Sequence, residues 1–369
     1  MQFPLITHIN DVLPHIEGKD EFRVMDKGDY TVIDYMYQDR DTFESDNPLT
    51  KQIRRECRGL IFNKDGHLIR RAFHKFFNLG EKPEHTQENL SLDDYTIHNK
   101  FDGSMVTPLY IDGKFHMATR AGITDHGKKA TEFVKKHRPD IELFCEECIQ
   151  KFNLNPIFEY LDPLNPIVLS HSHEDLVLLK VRHIWTGRYL DLYPTGVTRA
   201  DKLELGVNLK ELVNLASKQE DLEGWVLYRN HVPTVKVKLD WYVQIHRAKD
   251  KINSPEAIIE LAMMNKLDDV KPFLTGSMKQ LVDDVESNFW NWYNTKKSIL
   301  SGQYKHIKSF TTTRKDYALA VQPYDKYTKQ ILFRLLDGDD LTETLNKTIT
   351  SNLHPKSKFI NITESFLCL

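Results

Sequence analysis

Apolar and polar positions alternate with a period of two through much of the first 250 residues, and a period near 3.6 takes over afterwards. Residues 1–30 read as a short mixed cap. Tyr30 to Tyr37 predicts a strand with Tyr35 and Tyr37 on one face, and Gln38 to Lys51 a polar loop. Glu56-Cys57-Arg58-Gly59-Leu60-Ile61-Phe62 runs from charge into an apolar strand. The turn Asn63-Lys64-Asp65-Gly66 sends His67 to Phe73 back as a second arm. Strands Tyr95 to His98 and Met105 to Tyr110 flank Lys100-Phe101-Asp102-Gly103-Ser104, and Phe115 to Arg120 follows the turn Asp112-Gly113. Asp125 to Asn153 has helical periodicity. Ile157 to Leu161 is a strand carrying one carboxylate, Glu159. Leu176 to Ile184, apolar except for Lys180 and Arg182, predicts a buried central strand. After a helix at Leu209 to Gln219, Glu223 opens another strand. Val235-Lys236-Val237-Lys238-Leu239 then sets both lysines on one face. By itself that last pattern is an edge strand with a solvated basic face.

Beyond residue 250 the apolar positions recur at helical spacing. Ser254 and Pro255 have the chemistry of an N-cap and first helical residue. Met278, Leu281, Val285, Phe289 and Trp292 form a core stripe. Asp316 to Leu336 predicts a helix interrupted or begun at Pro323 and ended at Gly338, and Leu341 to Ile349 one more. The pattern therefore predicts an α+β domain of antiparallel sheets with flanking helices, residues 1–248, followed by an all-α domain, residues 249–369.

Composition changes this picture little. A net charge of −3 announces no nucleic-acid partner. Locally, residues 296–330 hold Lys296, Lys297, Lys305, Lys308, Arg314, Lys315, Lys326 and Lys329 against Asp316 and Asp325. Tyr304, Phe310, Tyr317, Tyr324 and Tyr327 interleave them. Aromatic stacking beside cations suits single-stranded RNA; tyrosines in a helical core with lysines in water suit the same pattern. Four cysteines in 369 residues are no disulfide framework. Cys145-x-x-Cys148 lacks the second pair of a zinc site, and His171-Ser172-His173 reads as a polar loop. The first ten residues lack a signal-peptide pattern and no apolar run reaches membrane length, so a cytoplasmic protein is expected.

The chemistry gathers at strand ends. A lysine amine has an ordinary pKa of about 10.4 and attacks only when neutral, so cations or burial must favour its deprotonation. Lys100 at a strand end is such a candidate, with Asp102 beside it and Gly103 to turn the chain. Alone, the cluster is more often a surface turn. His74-Lys75-Phe76-Phe77-Asn78 sets a cation beside two aromatics. Cations, one lysine and two carboxylates suit chemistry at a phosphate, where carboxylates hold a divalent metal. Neither a phosphate-loop nor a dinucleotide-binding glycine fingerprint occurs.

In this order, Glu56-Cys57-Arg58-Gly59, Lys75-Phe76-Phe77-Asn78-Leu79, Lys100-Phe101-Asp102-Gly103-Ser104, Phe158-Glu159-Tyr160, Leu179-Lys180-Val181-Arg182, Glu223-Gly224 and Lys236-Val237-Lys238-Leu239-Asp240-Trp241-Tyr242-Val243 resemble the lysine-dependent nucleotidyltransferases. More narrowly they resemble the bacteriophage RNA ligase 1 family. The resemblance implies an ATP-dependent, Mg²⁺-requiring RNA ligase, with Mn²⁺ as a substitute metal. Lys100 would attack the α-phosphorus of ATP, pass AMP to an RNA 5′-phosphate and so allow a 3′-hydroxyl to join. Arg58 and Lys75, with Tyr35, would contact the β- and γ-phosphates. Glu159 would bind the ribose or a water on the metal, and Glu223 the metal. Lys236 and Lys238 would contact the α-phosphate and favour the neutral amine of Lys100. Arg120 would contact the nucleotide sugar or an RNA phosphate, Asp102 the metal or the lysine, and the strand Leu178 to Val181, through Val181, the adenine.

Implied partners are single-stranded RNA or nicked tRNA ends and an end-healing polynucleotide kinase/phosphatase, with the enzyme a monomer in the cytoplasm, a host's if phage-encoded. The helical domain would select the RNA. Pro166 stands where the family pattern has a basic residue, which removes one phosphate or ribose contact. A DNA ligase or capping enzyme would carry a small β-barrel after Lys238, and helices are expected there instead. A non-catalytic RNA-binding protein would lack Lys100 or a carboxylate, and none is missing. A protein-modifying adenylyltransferase would need a protein acceptor.

Overall fold

A computed structural model describes residues 3–39, 41–164, 168–169, 171–192, 194–252, 254–268, 270–274 and 276–353. Pro166 lies outside them. The chain divides into two compact units between Val243 and Gln244.

In the first unit, β1 (Phe22–Asp26), β2 (Tyr30–Tyr35), β3 (Arg58–Asn63) and β4 (Leu68–Arg70) form an antiparallel sheet in that order. Two short helices, α1 (Leu13–Ile16) and α2 (Pro48–Glu56), accompany it. Thus the cap contains a strand, and the expected polar loop contains a helix. Asn47 caps α2 by accepting from the Leu49 and Thr50 amides, with Pro48 at its first position. That signal is local and sits among polar residues that hide the period.

Next come β5 (Phe77–Asn78), β6 (Tyr95–Lys100), β7 (Ser104–Ile111), β8 (Lys114–Ala118), α3 (Asp125–His137), α4 (Pro139–Phe152), β9 (Leu154–Leu161) and β10 (Asp175–His183). The expected single helix over 125–153 is two, because Pro139 lacks an amide proton and forces Arg138 out of helical geometry. The unit closes with β11 (Tyr189–Leu190), β12 (Lys202–Leu203), α5 (Leu209–Ala216), β13 (Gly224–Arg229) and β14 (Val232–Lys238).

Two further five-stranded sheets result, in orders β11-β10-β9-β7-β8 and β12-β6-β13-β14-β5. Helices α3 and α4 cover the first of them through Phe115, Val134, Ile141, Cys145 and Phe158. Cys145 and Cys148 belong to this core, and burial pushes both thiols up, so they act as small apolar side chains. Strand β14 is not an edge: β13 pairs it antiparallel on one side and β5 parallel on the other.

Helix α6 (Asp240–Lys251) crosses the division. The described part of the second unit continues with α7 (Pro255–Met263), α8 (Gly276–Phe310), α9 (Arg314–Ala320), α10 (Lys326–Leu336) and α11 (Leu341–Ser351). Ser254 caps α7 as its chemistry predicts. Val285, Phe289, Leu300, Ile331, Leu345 and their neighbours form one core. Tyr317 is buried in it and donates to the Leu332 carbonyl at 2.9 Å, so this ring is structural.

Candidate active site

Strand register assembles the centre. Gly224 on β13 pairs with Lys100 at the end of β6 and with Lys238 at the end of β14. Residues from three distant segments therefore meet at one end of three adjacent strands. A side chain at Gly224 would collide with the Val237 carbonyl, and φ is +143°, so only glycine permits this approach. Lys100 Nζ donates to Glu223 Oε2 at 2.6 Å, and Lys238 Nζ lies 3.0 Å from Glu223 Oε1. One buried carboxylate holds both lysines.

A cavity of about 210 Å³ opens beside Lys100. Arg58, Lys236 and Glu159 supply its charge, and Phe76, Leu179 and Val226 are among its apolar walls. Met105 pairs with Glu159 across β7 and β9, which sets this carboxylate beside the nucleophile candidate. Burial, and then the Glu223 and Asp102 carboxylates, push Glu159 up to about 7 against the pull of Lys100 and Arg58. Lys236 sits 4.6 Å from the centre of the Phe76 ring. Desolvation and four neighbouring cations (Arg58, Lys100, Lys75 and Lys238) hold its amine well below the ordinary lysine range. Such an assembly is short of negative charge, which an anionic ligand would supply.

Lys75 stands apart from that cavity, over the Tyr35, Phe43 and Phe77 rings at 5.5, 5.6 and 5.1 Å, and its Nζ donates to Gln38. Burial lowers its pKa. Arg120 shares Tyr35 with Lys75 and lies 4.5 Å from the centre of its ring.

Two expected assignments meet different surroundings. Asp102 is 2% exposed; its Oδ2 accepts from the Val168 and Leu169 amides, and its Oδ1 from the Tyr242 hydroxyl at 2.7 Å. Its carboxylate ties the turn after Lys100 to a loop and to α6, which leaves it poorly placed to hold a metal. Val181 is fully buried among the residues packed against α3 and α4, so its side chain does not reach the cavity. Leu179, two positions earlier, lines it instead, with a strand irregularity between Leu178 and Lys180 shifting the alternation. His171 bonds the Asp102 carbonyl, as a loop residue would. Residue patterning did not mark Leu179, Val226 or Asn99 as cavity residues; the Leu179-Lys180 motif carried the only hint.

Sequence similarity to known proteins points to one family. A family model described as RNA ligase matches residues 56–242. A provisionally named RNA ligase of Thermovibrio ammonificans is 30% identical over 276 residues, covering 71% of this chain and 70% of that protein. A provisionally named bifunctional polynucleotide kinase/RNA ligase of Autographa californica nuclear polyhedrosis virus is 26% identical over 72% of this chain; the chain spans only 41% of its length. Among solved structures, an archaeal ATP-dependent RNA ligase is 11% identical with a TM-score of 0.42, over 89% of this chain and 95% of that one. A Naegleria gruberi RNA ligase solved with ATP and Mn is 18% identical with a TM-score of 0.31, over 42% and 51%. These two likenesses are distant, and the assignment rests on the sequence matches. The chain belongs to the RNA ligase family, in the phage RNA ligase 1 group that its motifs resemble.

Proposed function

We propose that the chain joins RNA ends with ATP through a lysyl-AMP intermediate, and that Lys100 is the nucleophile. The observation that carries this reading is the Lys100–Glu223–Lys238 cluster beside a cationic cavity. Lys100 Nζ attacks the α-phosphorus, its bond forms as that to pyrophosphate breaks, and Glu223 is the nearest acceptor for the amine proton. Lys236 and Lys238 stabilise the charge developing on the α-phosphate. Arg58 and Lys75, with Tyr35, meet the outer phosphates, and Arg120 meets the sugar or an RNA phosphate. Leu179, Val226 and Phe76 give the base an apolar wall in place of Val181. We read Asp102 as a positioning residue for the Lys100 turn.

The AMP then passes to an RNA 5′-phosphate, and a 3′-hydroxyl attacks that phosphate and releases AMP. Residues for a divalent cation fit. Glu159 has no hydrogen-bond or ion-pair partner among the described residues, and Glu223 is electrostatically coupled to it. No group of three or more protein ligands occurs among the described residues. One or two carboxylates with substrate phosphates is the arrangement Mg²⁺ favours, and Mn²⁺ takes the same donors. Such an ion would supply charge neutralisation at the phosphates.

RNA selection falls to the second unit in this reading, where exposed Lys305 and Lys308 flank an exposed Phe310 whose ring lies 5.2 Å from His306. A monomer acting in the cytoplasm on nicked tRNA or other single-stranded ends, prepared by a kinase/phosphatase, completes the proposal. No helix among the described residues is long and apolar enough to cross a membrane.

Incubation with α-³²P-ATP and Mg²⁺, followed by a denaturing gel, tests it beside Lys100→Ala. Label on the wild type, removed by pyrophosphate and absent from the variant, is expected. A chase with 5′-phosphorylated RNA or DNA then selects the substrate. A folded, ATP-binding protein that takes no label would refute the reading.

A further inference from the structure

A second cavity, of about 470 Å³, adjoins the first and shares Arg58 and Met105 with it. Ser104, Thr119, Thr124 and His126 line it together with Arg58 and Arg120, beside the Asp34 carboxylate and the apolar Met25 and Met36. Two guanidinium groups among hydroxyls suit a phosphoryl group, whose oxygens accept bidentate and single hydrogen bonds. Arg58 and Met105 therefore stand between this space and the cavity of Lys100.

Arg120 is not free in this cavity. Its Nε lies 2.8 Å from Asp34 Oδ2, its Nη2 donates to the Tyr35 carbonyl at 3.1 Å, and its plane covers the Tyr35 ring. All three contacts come from two consecutive residues at the end of β2. Asp34 is 3% exposed, and its second oxygen, Oδ1, is buried without a hydrogen-bond partner among the described residues. A buried carboxylate with an unsatisfied oxygen is costly unless another role retains it. Asp34 also lends counter-charge to the fully buried Arg70, a role that does not involve Arg120.

We propose that Asp34 is a positioning residue that presents Arg120 to a phosphoryl group seated in the second cavity. The inference rests on the ligase reading and deepens it. Asp34 engages Nε and the Tyr35 carbonyl engages Nη2, which leaves Nη1 for a phosphate oxygen. The arginine arrives already ordered, so little side-chain freedom is lost on binding. The phosphoryl group is either departing pyrophosphate or the RNA 5′-phosphate, and separate assays distinguish the two.

The test uses the full chain with Asp34→Asn, Arg120→Gln and the double variant. Each is first labelled with α-³²P-ATP; wild type that takes no label refutes the ligase reading itself and so the inference with it. On labelled protein, one arm measures the inorganic pyrophosphate concentration that half-reverses labelling. The other measures the KM for a 5′-phosphorylated RNA oligonucleotide in AMP transfer. Asp34→Asn is expected to raise one of these about tenfold, as is Arg120→Gln, with the double variant no worse than Arg120→Gln alone. A rise in the first arm alone identifies pyrophosphate, and in the second alone the RNA end. Additive effects in the double variant would assign Asp34 a role independent of Arg120 and overturn the proposal. Should Asp34→Asn not fold, unchanged behaviour of Arg120→Gln in both arms, on protein shown to be folded by its thermal unfolding, overturns it.

Discussion

Two regions of the first unit carry the same charge motif, one carboxylate held between two cations, and put it to opposite uses. Glu56 is bridged by Arg71 at 3.0 Å and Arg182 at 2.7 Å, and all three side chains are sealed from solvent. Arg71 also donates to the Trp185 and Pro4 carbonyls, and Arg182 to the Gly187 carbonyl, so the donors are spent on backbone. Glu223 is bridged by Lys100 and Lys238, but here Lys100 stands at a cavity and both lysines are partly exposed. Planar arginines with fixed forks suit a closed network, whereas a lysine on a flexible stem suits a nucleophile that must let go of its partner. The difference lies in what surrounds the pair.

The largest expected effect comes from replacing the lysine that stands at the cavity. Lys100→Ala should reduce labelling by ATP below about one-thousandth of wild type while Tm moves by only a few degrees. A comparable loss of stability would merge the two regions into one structural class. Removing divalent metal with a chelator should abolish labelling just as fully and move Tm by only a few degrees, because no group of three or more protein ligands occurs among the described residues. Unfolding that tracks metal content would contradict this.

Breaking the sealed network acts the other way. Glu56→Gln leaves two buried guanidinium groups short of a counter-charge and should cost about 3–5 kcal/mol in urea unfolding. Labelling per folded molecule should stay within a factor of about two. Acid should reproduce this loss gradually. Burial pushes Glu56 up, but Arg182 and Arg71 outweigh it and hold the carboxyl at about 2. A carboxyl depressed on folding stabilises fully above its ordinary value near 4.5 and progressively less as pH falls toward 2. The stability gap between wild type and Glu56→Gln should therefore narrow between pH 5 and pH 3; a constant gap would show that Glu56 does not titrate as described.

The smallest effects separate two neighbours on β10. Leu179→Ala should raise the KM for ATP by about three- to tenfold with little change in kcat. Val181→Ala should instead cost about 1–2 kcal/mol of stability and leave KM alone. The reverse result would restore Val181 to the adenine wall.

Much of the centre was legible in the chain before any fold was known. Lys100, Glu159, Glu223, Lys236 and Lys238 stand in motifs whose order is distinctive, and period-two and helical patterns separated the sheets from the helical unit. Local chemistry also marked the Ser254 cap and the turn at Asn63 to Gly66. These features depend on residues close in sequence, where side-chain type and backbone preference act directly. Tertiary structure alone decided the rest. Strand register, through Gly224, brought Lys100 and Lys238 to one carboxylate. An irregularity in β10 exchanged Leu179 for Val181 at the cavity, and pairing with β5 took the part of β14 at Lys236 off the sheet edge. Asp102 became a tie for a loop and α6, and Glu56 joined arginines 15 and 126 positions away. Each of these outcomes depends on which distant segments pack together, and a one-residue change of register would reverse the faces that the sequence pattern leaves open.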